Sequence, residues 1–219
     1  MTLYDDKRCK FVLLTMVLSL AGAIVCAMIR GGWQSATVLN VVIDTMLVGY
    51  IVRHRDGLLL RLLIMAVAAG VVEVAIADPY FVGNGTLVYL RGGPFVIDSP
   101  LYMPLGWAYV LLQIGYVAWW VMQQKGTTAA IVVSTLLGGT NIPVYEALAR
   151  RASWWYYQDV PMIIGAPYYV ILGEAFIGLA LPFIVKPLAT RSPISSIWLG
   201  LALGVWTLVS GVLAFRIAG

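Results

Sequence analysis

The apolar residues of this chain gather in seven long runs separated by short polar stretches. Each run approaches the roughly 20 apolar residues that an α-helix needs to cross a bilayer. The runs extend over residues 11 to 29, 35 to 52, 58 to 77, 101 to 123, 127 to 149, 166 to 185 and 195 to 217. They predict an all-α fold, a polytopic transmembrane bundle of about seven helices, organised as a single transmembrane domain over residues 1 to 219. The connections are too short to hold a separate water-soluble domain.

Composition removes the soluble alternative. Hydrophobic residues make up 61% of the chain and charged residues 11%, against roughly 45–50% and about 25% in an ordinary soluble domain. Lys7, Arg8 and Lys10 ahead of the first run have the charge layout of a signal peptide. That run is longer than a typical signal core and no small-x-small site follows it, so an uncleaved first helix is expected. Cys9 and Cys26 lie about 25 Å apart on a helix and cannot pair. The only histidine, His54, sits in a basic loop, which argues against a multi-histidine metal site. No metal and no cofactor is expected.

The net charge of +4 does not point to nucleic acid, because the basic residues lie between the apolar runs and form no stripe. They report topology. One side carries nine: Lys7, Arg8, Lys10, Arg53, Arg55, Arg61, Lys125, Lys186 and Arg191. The other carries five: Arg30, Arg91, Arg150, Arg151 and Arg216. The excess places the N-terminus in the cytoplasm and the C-terminus on the opposite side. Connections on the basic side are short. Two on the other side, residues 78 to 100 and 150 to 165, are long and rich in Pro, Gly and aromatics. Tyr80, Phe81, Tyr89, Phe95 and the run Trp154, Trp155, Tyr156, Tyr157 suit the headgroup boundary, where amphipathic rings settle.

The helix hairpins that carry these loops form an internal repeat. Pro100, Tyr102, Leu105, Gly106 and Ala108 recur as Pro167, Tyr169, Leu172, Gly173 and Ala175, five identities in nine positions at an offset of 67. Glu73 upstream of the first copy is matched with Glu146 upstream of the second. Both hairpins run in the same sense, so an axis along the membrane normal relates them.

Four acids, Asp44, Glu73, Glu146 and Glu174, fall inside these runs. A charge near the bilayer centre costs roughly 2.5–3.5 kcal/mol on insertion scales, so all four are expected to face the bundle interior. Counting along the helices gathers the three glutamates in the half beneath the aromatic loops, with Asp44 nearer mid-span. No Lys or Arg lies at that depth, which favours keeping at least one carboxyl protonated at neutral pH. The structural alternative is that the acids cap backbone groups or bond Asn40, Gln113, Asn141 or a tyrosine hydroxyl.

A protonated carboxyl among Trp and Tyr rings suits proton donation to an alkene, with the carbocation held against aromatic faces and a second carboxylate removing the final proton. Glu73, Glu146, Glu174 and Asp44 are the acid/base candidates. Trp107, Asn141, Trp154, Trp155, Tyr157 and Tyr169 are the candidate substrate contacts. The expected partner is a lipophilic isoprenoid dissolved in membrane lipid.

The segment Tyr145-Glu146-Ala-Leu-Ala149, followed by Ser153-Trp154-Trp155-Tyr156-Tyr157, Pro167-Tyr-Tyr169 and Gly173-Glu174, resembles integral-membrane carotenoid enzymes. In the membrane lycopene cyclases and the related carotenoid hydratases, an acid with a small residue, a Trp-x-aromatic pair and a proline-led acidic or polar helix recur in this order. Small seven-helix terpene cyclases are similar in general design. The resemblance covers residues 145 to 174 and implies roles for Glu146, Trp155 and Glu174. It departs from the cyclase pattern Pro-x-Glu-Glu, since Tyr168, Tyr169 and Val170 follow Pro167.

Two other classes compete. A small transporter or proton-coupled channel would also place acids between helices. A scaffold protein would need only small residues such as Gly22, Gly106 and Gly200 for close packing. A retinal photoreceptor is excluded by the lack of a mid-membrane lysine in the last run. Prenyl transfer is disfavoured because the only adjacent acidic pair, Asp5-Asp6, precedes the first helix.

Overall fold

Seven helices long and apolar enough to cross a membrane follow one another along the chain, in a computed structural model that describes residues 3–90 and 92–219, with side chains from Lys7 onward. Arg91 and the Asp5-Asp6 side chains, used in the charge arguments above, lie outside what is described. The spans are Lys7–Ile29, Gly32–His54, Gly57–Gly83, Tyr102–Lys125, Thr127–Arg151, Tyr168–Leu188 and Pro193–Ala218. The chain is a multi-pass membrane protein.

The helices are α1 (Leu3–Ile29), α2 (Gly32–His54), α3 (Gly57–Val72), α4 (Asp78–Gly83), α5 (Tyr102–Lys125), α6 (Thr127–Arg151), α7 (Tyr168–Leu188) and α8 (Pro193–Ala218). A π turn, Glu73–Ala77, joins α3 and α4 into one span. Six short strands decorate the two long connections: β1 (Leu87–Tyr89), β2 (Phe95–Val96), β3 (Ser99–Pro100), β4 (Trp155–Tyr157), β5 (Met162–Ile163) and β6 (Ala166–Pro167).

Small residues set the tightest helix contacts. Ser134 Oγ of α6 donates to Gly178 O of α7 at 2.6 Å. A methyl on Gly178 would meet the Ser134 carbonyl carbon at 2.7 Å, and one on Gly200 would strike the backbone of Met65. Such glycines let backbones touch, the usual packing device inside membranes. At the end with short connections, Leu47, Leu59, Leu62, Met65, Leu112, Leu181, Val185 and Leu188 form a solvent-free apolar plug. There Arg8 Nε reaches Asp56 Oδ2 at 2.7 Å, while Asp56 Oδ1 caps α3 by accepting from Leu58 N and Leu59 N. Cys9 and Cys26 are buried thiols.

The repeat read from the sequence extends through the connections. The hairpin β2–β3 pairs Phe95 with Pro100, and β5–β6 pairs Met162 with Pro167, each pair displaced by 67 residues from its equivalent. Both turn at an isoleucine with positive φ, Ile97 at 58° and Ile164 at 55°. The strands β1 and β4 pair with each other, antiparallel, across the repeats: Leu87 with Tyr157, Val88 with Tyr156, Tyr89 with Trp155. At an offset of 68, β1 maps onto β4 and this ladder maps onto itself. Its flanking bonds, Leu90 N to Trp154 O at 3.3 Å and Gln158 N to Thr86 O at 3.1 Å, are also equivalents. An approximate two-fold axis therefore passes between Val88 and Tyr156.

Candidate functional site

Beneath the β1–β4 ribbon lies a cavity of about 400 Å³, within the range of small-molecule sites. Its acids arrive on three helices, and the two repeats supply them in matched fashion. In the first, Tyr89 Oη donates to Asp78 Oδ2 at 2.7 Å, and Ser99 Oγ donates to the same oxygen. In the second, Tyr157 Oη lies 3.5 Å from Glu146 Oε1 and Trp155 Nε1 donates to Glu146 Oε2 at 2.6 Å. Asp78 precedes Tyr89 by eleven residues, as Glu146 precedes Tyr157. The counterpart of Glu146 is thus Asp78, not Glu73 as the sequence pairing had it. The hydropathy pattern predicts a span ending at residue 77, but the helix runs on, and Asp78 lies on it, buried.

The π turn explains both the misreading and the extra acid. Pro79 has no N–H, and its ring would press on the Ala75 carbonyl in a regular helix. The helix opens ahead of it, so that Asp78 N bonds Glu73 O five residues back. On an α-helix residues five apart point about 140° from one another. The wider π turn stacks them, bringing the Glu73 and Asp78 carboxyls close enough to interact. Two carboxylates have no donor, so that contact closes only around a shared proton.

Glycine contacts place the extra residue. A methyl on Gly70 would lie 3.6 Å from Pro104 O, and one on Gly139 would lie 3.5 Å from Ile171 O. Those carbonyls are 67 residues apart, whereas the glycines are 69 apart and Asp78 and Glu146 are 68 apart. The first repeat has one residue more between its glycine and its acid, and the π turn accommodates it. Such turns appear mostly as single insertions at functional sites.

Glu174 comes in on α7, close enough to Glu73 and Glu146 for their charges to interact. It lines the cavity and makes no hydrogen bond among the described residues. Glu73 Oε2 and Trp107 Nε1 are shut from solvent and make no hydrogen bond of good geometry, although the indole N–H lies beside the Glu73 carboxyl. Glu146 and Asp78 are therefore held by donors, while Glu73 and Glu174 keep oxygens uncommitted.

Two tyrosines cross between repeats to brace this arrangement. Tyr102 Oη of α5 donates to Trp154 O at 3.0 Å, and Tyr169 Oη of α7 lies 3.3 Å from Thr86 Oγ1. Tyr102 and Tyr169 are equivalents, and so are Thr86 and Trp154. Burial, reinforced by Asp78 beside Tyr89 and Glu146 beside Tyr157, holds both of these loop phenols well above the usual tyrosine range. They remain neutral hydrogen-bond donors.

Of the residues proposed from the sequence, Glu73, Glu146, Glu174, Trp107, Asn141, Trp154, Trp155, Tyr157 and Tyr169 all line the cavity. Asp44 does not. Its two oxygens are enclosed without a hydrogen-bond partner elsewhere on α2, and Asn40, its expected companion, donates to Tyr102 O at 2.7 Å. Gln113 bonds Thr15, so neither amide serves the acids. The aromatics expected at the headgroup boundary divide: Tyr80 and Phe95 are exposed, whereas Tyr89 and Trp154 turn inward and are buried. Sequence reasoning missed Asp78, Tyr89, Ser99 and Tyr102. The eleven-residue acid-to-tyrosine spacing, present twice, was the available signal.

Among known families, the model described as "Domain of unknown function (DUF6989)" matches residues 75–218, roughly two-thirds of the chain. The chain belongs to this family. The DUF6989 match takes in Asp78, Glu146 and Glu174 together with the β1–β4 ribbon, and begins just after Glu73. No curated protein and no solved structure matches.

Proposed function

We propose that this protein is a membrane-embedded isoprenoid-modifying enzyme that carries out acid-initiated cyclisation, or the related hydration or isomerisation, of a lipophilic terpenoid. The observation that carries the reading is a 400 Å³ cavity inside the membrane-spanning bundle where Glu73, Asp78, Glu146 and Glu174 meet Trp and Tyr rings. A pocket of this size takes a ligand on the order of twenty to thirty heavy atoms.

In this scheme the proton held between Glu73 and Asp78 is transferred to one carbon of a substrate alkene. A C–H bond forms, the π pair is consumed, and a tertiary cation remains. The faces of Trp107, Trp155 and Tyr169 stabilise it, each such contact contributing up to about 2 kcal/mol when dry. Attack by a second alkene closes the ring. Glu174 or Glu146 then removes a proton from the carbon next to the new cation, restoring an alkene, so the cyclisation is redox-neutral and returns its proton. Tyr89, Ser99, Trp155 and Tyr157 fix the carboxyls for these steps. Hydration differs only in the last step, water capturing the cation while the same carboxylate takes its proton.

The apolar plug below the cavity favours this reading over a transporter or channel, since a conduit needs polar groups continuing to the far face. The bias of Lys and Arg along the chain supports an orientation with the loop end of the cavity away from the cytoplasm.

The test is expression of wild type, Glu146→Gln and Asp78→Asn in cells supplied with linear carotenoid and polyprenyl precursors, followed by chromatography and mass spectrometry of the lipids. An isomeric or hydrated product with wild type, lost in both variants at equal protein level, supports the reading. A product with all three refutes the site assignment, and no product from any precursor refutes the activity.

A further inference from the structure

The cavity is not confined to the loop end. It reaches the bilayer-facing wall between α1 and α6, where Met16, Val17 and Leu20 on one helix face Leu137, Asn141 and Ile142 on the other, all lining it. Val17 is 64% exposed and Asn141 is also exposed, so both border the cavity and the outer surface at once. The opening is framed. On one side Ser19 and Tyr145 join their hydroxyls at 3.2 Å across α1 and α6, with Ala23, Ala149 and Ala152 packed beyond. On the other, Gln113 Nε2 of α5 donates to Thr15 Oγ1 at 3.1 Å. Thr15 and Ser19 are one turn apart on α1, so the gap is about one helical turn tall. It lies near mid-span, with Val17 ten residues into the Lys7–Ile29 helix.

We propose that this gap is a lateral portal through which the ligand enters from the hydrocarbon of the bilayer, and that the ligand is a hydrocarbon chain carrying a single oxygen function. The proposal rests on the reading that the cavity takes a lipophilic molecule. The occupant follows from the lining: five of the six residues at the gap are apolar, and hydrocarbon surrounds them at that depth. The sixth specifies the oxygen. Asn141 presents its amide at the mouth with no hydrogen-bond partner among the described residues, an arrangement that is costly in an apolar medium unless a ligand satisfies it. A hydroxyl or carbonyl passing the portal is such a ligand. A substrate arriving from the bilayer by this route need not cross the β1–β4 ribbon above the cavity.

The experiment uses the full chain in phosphatidylcholine vesicles with a farnesol analogue carrying a diazirine, photolysed and mapped by peptide mass spectrometry. Wild type is expected to label residues 137–142 and 16–20 together with the Trp107 and Trp155 peptides inside. Val17→Trp and, from the opposite helix, Leu137→Trp should each cut labelling of the inner peptides at least tenfold, with unchanged thermal unfolding. Val205→Trp, on the exposed face of α8, should leave it unchanged. Asn141→Leu should abolish the preference for the farnesol probe over the matching hydrocarbon probe. Inner labelling that persists in both plugged variants overturns the portal while leaving the proposed enzyme intact. Absence of inner labelling in wild type overturns both. A preference that survives Asn141→Leu overturns the part given to that amide.

Discussion

Replacing Gly178 by alanine would set a methyl carbon 2.7 Å from the Ser134 carbonyl carbon and 2.9 Å from Thr135 Cα. Carbon atoms rest at about 3.5–4.0 Å, so α6 and α7 must part by roughly 0.8–1.3 Å, and backbone atoms cannot rotate aside as a side chain would. At the same α6–α7 contact Gly138→Ala meets the Glu174 carbonyl carbon at 3.0 Å and Gly139→Ala meets Ala175 Cβ at 3.3 Å, whereas Gly49→Ala meets nothing within 4 Å. Overpacking of this kind costs about 1–3 kcal/mol. At roughly 2–4 °C per kcal/mol for a chain of this length, a loss of about 2 kcal/mol lowers the melting temperature by about 4–8 °C. Thermal unfolding in detergent, followed with a thiol-reactive fluorescent dye, suits the measurement because Cys9 and Cys26 are buried in the native state. The expected order of destabilisation is Gly178, Gly138, Gly139, with Gly49→Ala neutral or slightly stabilising because alanine favours the helix. If Glu174 serves the proposed chemistry, Gly138→Ala should also cut product formation about a hundredfold, since a displacement near 1 Å at a reacting group has that effect. Equal melting temperatures for Gly178→Ala and Gly49→Ala would refute the close contact between α6 and α7 on which the placement of Glu174 depends.

Further outcomes follow from other contacts. Trp155→Phe removes the N–H that Glu146 accepts at 2.6 Å and should cost about 1–2 kcal/mol, seen as a melting temperature lower by several degrees; no change would mean the bond contributes nothing. Arg8→Met leaves Asp56 buried with its ion-pair partner gone, and should destabilise by about 3–5 kcal/mol, whereas a shift under 1 kcal/mol would class the pair with surface bridges. Tyr89 and Tyr157 give a pH prediction. Their folded pKa values are raised above the roughly pH 10 of an unfolded phenol, so their contribution is intact below pH 10 and is lost as pH climbs past it. The melting temperature of wild type should fall between pH 9 and 11, and the double variant Tyr89→Phe, Tyr157→Phe should melt lower at pH 7 but fall less steeply; parallel curves would contradict this.

What the sequence made legible was whatever hydropathy and residue identity encode. Span positions came within a few residues, because the bilayer demands apolar length whatever the packing. Glu146 and Glu174 could be found because acids are scarce inside such spans, and Trp155 because it follows Glu146 in the acid-then-Trp-x-aromatic order that carries the resemblance. Counting residues along a helix gives depth, however, and not the direction in which a side chain points. That is why Asp44 is grouped with the glutamates although it does not line the cavity. Asp78 escaped for the opposite reason: a charge followed by Pro79 reads as the end of a helix, and nothing local announces that a π turn will carry the helix past it. The inward turn of Tyr89 and Trp154 depended on β1 pairing with β4, three-residue strands 68 positions apart whose pairing only the repeat could have suggested.

The crossed tyrosines bear on ancestry. Tyr102 and Tyr169 each reach the loop of the other half, and the central ribbon is its own mirror in sequence order, which is how two identical chains meet in a symmetric dimer. A gene encoding one such hairpin could have built this cavity from two copies of its product, with the paired acids descending as Asp78 and Glu146. Once fused, the halves were free to diverge: serine against alanine at positions 99 and 166, tryptophan against glutamate at 107 and 174. The one residue by which the first half is longer sets Glu73 beside Asp78, a pairing the second half lacks, so the donor pair of the proposed chemistry departs from the frame that the halves share.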